Sequence, residues 1–136
     1  MRAIPVLRDA AAAGTARVVD EREIEYTLIL PRQMLRSASN IVGVKIYGDS
    51  MSPVLEANYI ALIDCSRRNA IDLINKIVAA RDGDGITVKW LRREDGFYLL
   101  VPENTDLRHP IKVLKAEADC SIVGEVVKWI GTPRTQ

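Results

Sequence analysis

Ser50 and Lys89 are the two residues of this chain whose surroundings suit covalent chemistry. Ser50 stands in Tyr47-Gly48-Asp49-Ser50-Met51-Ser52-Pro53, between a run that reads as a buried strand and a proline. A serine hydroxyl is a weak nucleophile at neutral pH and needs a base within hydrogen-bonding reach. The chain has a single histidine, His109, in the turn-like stretch Asp106-Leu107-Arg108-His109-Pro110, where a surface or packing role is expected. Histidine-based triads are therefore set aside. A lysine can serve as base when apolar surroundings disfavour its ammonium form. Lys89 interrupts the apolar run Gly85-Ile86-Thr87-Val88-Lys89-Trp90-Leu91. Period two places Ile86, Val88 and Trp90 on one face and Thr87, Lys89 and Leu91 on the other, so a hydroxyl and an aliphatic chain flank the amine.

Gly48 allows close backbone approach, and the successive amides of Asp49 and Ser50 suit an oxyanion hole after a strand. A plainer reading stands beside this one. Gly-Asp-Ser-x-x-Pro is good turn chemistry in any protein, and a strand lysine is ordinarily solvated. Residue chemistry alone leaves both open. It does set aside two other serine enzymes, because the chain has no GxSxG elbow and Ser50-Met51-Ser52-Pro53 lacks the lysine of SxxK enzymes.

The elements that must position these groups read as mostly β. Short apolar runs separated by turn residues predict strands over 26–30, 41–47, 59–64, 76–81, 86–91, 97–101, 111–114 and 121–130. So many short runs suggest a folded-over sheet or partial barrel. Asp82-Gly83-Asp84-Gly85 and Arg93-Glu94-Asp95-Gly96 predict two hairpins. Single helical turns are expected after Pro31 and around Asn69 to Ile74. Residues 1–25 lack period-2 alternation and hold an alanine run ended by Gly14, so they read as an arm rather than a core element, or as a helix stub capped by glycine.

Composition bounds the function. The 136 residues are enough for one domain with a real core, and 48% apolar against 27% charged residues argues against disorder. Nineteen basic and eighteen acidic residues leave a net charge of +1, with no basic stripe to follow a phosphate backbone. No apolar run approaches the roughly 20 residues that span a bilayer, so a cytoplasmic protein without membrane contact is expected. Cys65 and Cys120 lie far apart without metal-ligand spacing, so reduced core thiols are expected, with no metal and no cofactor.

Three stretches carry a resemblance: VKIYGDSMSPVLEANYIALID, KIVAARDGDGITVKWLRREDGFYLLVPEN and IVGEVVKWIG. With Gly48-Asp49-Ser50-Met51, Thr87-Val88-Lys89 and Val101-Pro102-Glu103-Asn104 in order, the chain resembles the self-cleaving peptidase domain of LexA-type repressors, lambdoid phage repressors and UmuD-type proteins. The resemblance covers about Ile4 to Gly131. It implies a LexA/signal-peptidase-like folded sheet of β-clip type, with Ser50 as nucleophile, Lys89 as general base and Thr87 supporting the amine. It also implies a cut at Ala13-Gly14, which makes the alanine run a substrate and residues 1–25 a cleavable arm ahead of a peptidase and dimerisation domain over 26–136. The flank Arg8-Asp9-Ala10-Ala11-Ala12-Ala13-Gly14 departs from the family's Gly-Arg-Val-Ala-Ala-Gly by one residue.

The resemblance further implies a homodimer and an activating RecA filament; the alternating apolar run 121–130 near the chain end is the expected pairing surface. It implies contact with DNA only through a helix-turn-helix domain absent from this chain. The expected protein is thus half of a DNA-damage-responsive repressor. The alternatives are a UmuD-like polymerase accessory subunit and a dimerisation module that does not cut.

Overall fold

The computed structural model describes residues 1–8, 21–35, 38–82, 85–114 and 121–131. Strands β1 (Arg2–Leu7), β2 (Ile24–Leu30), β3 (Ile41–Lys45), β4 (Ile60–Asp64), β5 (Ile77–Asp82), β6 (Gly85–Glu94), β7 (Phe97–Val101), β8 (Lys112–Leu114) and β9 (Ile122–Ile130) form a single mixed sheet. Its order is β2-β1-β3-β4-β9-β5-β6-β7-β8. The β1–β3 pair is parallel and every other neighbouring pair antiparallel. The mostly β class read from the sequence is the class observed.

Period two explains how one sheet holds several cores. In β4, Ile60 and Leu62 pack with Ile4, Val6 and Leu35, while Ala61 and Ile63 point the other way, among Val42, Val44 and Met51. In β5, Ile77 and Ala79 join that second cluster, and Val78 and Ala80 join a third with Leu91, Leu100 and Ile122. Both faces of these strands are covered, which is why they read as unbroken apolar runs rather than as alternating ones.

Both predicted hairpins are present. The β6–β7 turn places Asp95 at φ 50° and Gly96 at φ 81°, two successive left-handed residues whose twist matches that of the flanking strands. The expected helical turns are short 3₁₀ turns at Arg32–Leu35 and Ala70–Leu73, the latter capped by the Asn69 side chain, which accepts from the Ile71 amide. Residues 2–7 differ from expectation. They form β1, inside the sheet between β2 and β3, with Ile4 and Val6 fully buried. Pro5 hides this strand in the sequence, because proline donates no ladder bond. It is tolerated because the β1–β3 register covers only Val6–Gly43 and Leu7–Val44.

Strand β9 is held closely against β4. A Cβ on Gly124 would lie 2.3 Å from the Asp64 carbonyl oxygen and 2.8 Å from Ile63 Cγ2, so no side chain fits unless backbone moves. Gly124→Ala should therefore cost stability by about 1–3 kcal/mol or more. Urea denaturation checks this, and an unchanged midpoint would contradict the close β4–β9 approach.

Candidate active site

Ser50 is presented by the chain that follows β3. Ile46 and the residues before β4 exchange backbone bonds, the Ile46 amide to the Tyr59 carbonyl at 2.8 Å and the Asn58 amide to the Ile46 carbonyl at 2.9 Å. Between them Gly48 takes φ +73°, a conformation that a side chain would strain. A helical turn follows, with the Leu55 amide donating to the Met51 carbonyl at 2.9 Å. Met51 and Leu55 are buried in the core at 1% and 0% exposure, so the residue after the serine is an anchor.

Lys89 reaches this turn from β6. Its Nζ lies 2.9 Å from Ser50 Oγ and 2.6 Å from Thr87 Oγ1. Lys89 is opposite Val78, and Leu91 opposite Leu100, so the amine lies on the face that carries the third apolar cluster. Burial pushes the Lys89 pKa below its ordinary value; Asp82 opposes the shift and Lys112 adds to it. The 2.9 Å contact serves either protonation state. An ammonium donates to Oγ, whereas a neutral amine accepts the Oγ proton while still donating to Thr87.

The segment after β7 clasps the serine turn. Asn104 donates its amide to the Ser50 carbonyl at 2.9 Å and its Nδ2 to the Asp49 carbonyl at 3.0 Å. The Asp106 amide in turn fixes Asn104 Oδ1, and the Glu103 amide meets Met51 Sδ at 3.4 Å. Glu103 is held by Trp90 Nε1 at 2.9 Å. In a trans peptide the N–H points opposite to the C=O, so anchoring the Asp49 carbonyl on Asn104 turns the Ser50 amide away from the clasp. Val101-Pro102-Glu103-Asn104 stood out in the sequence as a motif without a task; this contact supplies one.

His109 is closer to the site than its turn-like sequence suggests. It is 19% exposed, with Nε2 2.8 Å from Asp49 Oδ1, an approach that lacks hydrogen-bond alignment. Arg108 reaches the same carboxylate at 3.5 Å. A cavity of about 170 Å³ joins Ser50, Thr87 and Lys89 to Leu100, His109 and Pro110, with Asp82 and Lys112 at its wall. A larger cavity of about 300 Å³ lies elsewhere, beside Arg67, Lys76 and Glu125, but its charges already face one another at 3.1 and 3.8 Å. Ser50, Lys89 and Thr87 are thus brought together. Ala13, Gly14 and Cys120 lie outside the described residues, and Cys65 is buried.

Within this β domain a serine hydroxyl thus faces a partly desolvated lysine amine. The sequence pattern of the Peptidase S24-like family matches residues 5–127, and the chain belongs to that family. It is 33% identical over 126 residues to a LexA repressor of Clostridium tetani, covering 91% of this chain and 58% of that protein. A LexA repressor of Streptomyces coelicolor is 31% identical over 91% of this chain and 49% of its own length. LexA repressor 1 of Nocardia farcinica is 33% identical over 74% and 44%. The chain spans about half the length of these relatives.

The direction of the Lys89 shift has a consequence for stability. A lysine whose folded pKa is lowered costs stability at pH values below the folded value, where both states are protonated. That cost fades as pH rises from the folded value to the unfolded one, because the unfolded chain then binds more protons. Lys89→Met should therefore be more resistant to urea than the parent at pH 7, with the gap closing toward the ordinary lysine value of 10.5. A gap that widens with pH would contradict a desolvated amine.

Proposed function

We propose that this chain is the self-cleaving, dimerising peptidase domain of a LexA-like repressor. The observation that carries the reading is the 2.9 Å contact between Lys89 Nζ and Ser50 Oγ, with the amine's ammonium form disfavoured by burial. Neutral Lys89 takes the Oγ proton as Ser50 attacks the Ala13 carbonyl. The oxyanion is received by the amides of Asp49 and Ser50, and collapse expels the Gly14 amine with the proton returned by Lys89. Water then hydrolyses the ester on Ser50. Thr87 holds the amine throughout, and no metal or cofactor is required.

Topology supports delivery of the substrate. Strands β1 and β3 run parallel with Leu7 beside Val44, so both leave the sheet at one end, β3 toward Ser50 and β1 toward residues 9–20. Ala13 lies six residues beyond Leu7, a reach of about 20 Å when extended. Residues 1–25 would thus include both a sheet strand and the cleavable stretch, with the peptidase domain over 26–136.

Dimerisation fits β9. Its register with β5 ends at Glu125, so among the described residues 126–130 pair with β4 alone, and Trp129 is 40% exposed. In the proposed whole protein a preceding helix-turn-helix domain binds DNA, and a RecA filament formed on DNA damage in the cytoplasm favours the cutting conformation. Cleavage then parts the linked DNA-binding modules, which lowers operator affinity.

Intact-mass spectrometry after incubation at alkaline pH tests the reading. The parent should yield a species that begins at Gly14, whereas Ser50→Ala and Lys89→Ala should cut below about one-thousandth of the parent rate while staying folded. Asn104→Ala, which keeps the dyad and loosens its support, should slow cutting by about tenfold to a hundredfold. Equal cutting in the parent and Ser50→Ala would remove the serine from the mechanism.

A further inference from the structure

Lys89 shares its cavity with a second lysine. Asp82 ends β5, opposite Gly85 of β6, and Lys112 opens β8, opposite Leu100 of β7. Residues opposite one another share a face, and faces repeat every second residue. Asp82, Thr87, Lys89, Leu100 and Lys112 therefore all lie on one face. In the order β5-β6-β7-β8, an ion pair between Asp82 and Lys112 must cross β6 and β7, the strands that carry Lys89 and Leu100. That pair is formed: Lys112 Nζ lies 2.8 Å from both Asp82 carboxylate oxygens.

The pair is poorly placed to stabilise the fold. The Asp82 and Lys112 side chains are 46% and 51% exposed, and half-exposed pairs add little net stability. Its consequence is local. The other groups facing the amine are the neutral hydroxyls of Ser50 and Thr87, the apolar Leu100, and His109, which is turned to Asp49; Arg108 takes up the same carboxylate. Among the described residues, Asp82 and Lys112 are therefore the charges at the cavity wall that no group other than each other offsets. Paired, their fields at the amine largely cancel; with either one removed, the other acts alone.

We propose that Asp82 and Lys112 act as an electrostatic positioning pair, each holding the other's field off the amine, so that losing either one alone moves the pH at which Lys89 can take a proton from Ser50. It acts through the amine, since Lys112 Nζ bonds the Asp82 carboxylate rather than Ser50. The inference rests on the role given to Lys89 in the proposed function, but its test does not require cutting. In a Ser50→Ala chain carrying ¹³C-labelled lysine, the titration of the Lys89 side chain is followed by NMR, then repeated with Asp82→Asn, Lys112→Met and both together. Asp82→Asn leaves a lone cation near the amine and should move the Lys89 midpoint down. Lys112→Met leaves a lone anion and should move it up. The double variant should return close to the parent, and raising the salt concentration should shrink both shifts. Opposite shifts that cancel are not expected from a merely structural pair. Shifts of the same sign, or none in either single variant, would overturn the proposal. In the cutting-competent chain the rate at neutral pH should rise with Asp82→Asn and fall with Lys112→Met. A parent chain that fails to cut under every condition would count against the proposed function, while the NMR titration would still decide this point.

Discussion

Everything at the candidate site depends on the partial desolvation of one amine. A lysine on a solvent-washed strand keeps its proton through neutral pH and has no lone pair to offer a hydroxyl. Lys89 differs because apolar neighbours share its face, Leu91 of its own strand fully buried and Leu100 of β7 nearly so, and because its head group meets two hydroxyls rather than a carboxylate. Hydroxyls can satisfy either protonation state, whereas a direct carboxylate partner would hold the ammonium form. The carboxylate at the cavity wall, Asp82, is engaged by Lys112.

The second requirement is that the hydroxyl be held still. That is met by two supports. Met51 and Leu55 seat the serine turn in the central core, and Asn104 grips the carbonyls of Asp49 and Ser50 from the loop after β7. Because β7 pairs with β6, the clasp follows directly on the strand paired with the one that carries the lysine. Trp90 strengthens that link by holding Glu103, next to Asn104 in sequence.

Much of this was legible in the sequence where the signal was local. The alternation around Lys89 placed Thr87 and Leu91 on its face, and Asp95-Gly96 announced its own turn. Gly48-Asp49-Ser50 could be read as a site only through the family resemblance, because its residues are equally good turn formers. What stayed hidden was non-local. Pro5 masked β1, whose burial depends on β2 and β3 covering it. The approach of His109 to Asp49 and the bond between Asp82 and Lys112 join residues 60 and 30 positions apart, and no periodicity encodes such a pairing.

In the proposed function Lys89, with its ammonium form disfavoured by burial, is the base that lets Ser50 cut this chain. The rate of self-cleavage between pH 6 and 10.5, followed by intact mass in the parent and in Lys89→Ala, tests it most directly. The account predicts a rate that climbs as Lys89 deprotonates and levels off below the ordinary lysine value of 10.5, with Lys89→Ala inert throughout. A rate independent of pH, or a climb that Lys89→Ala reproduces, would contradict it.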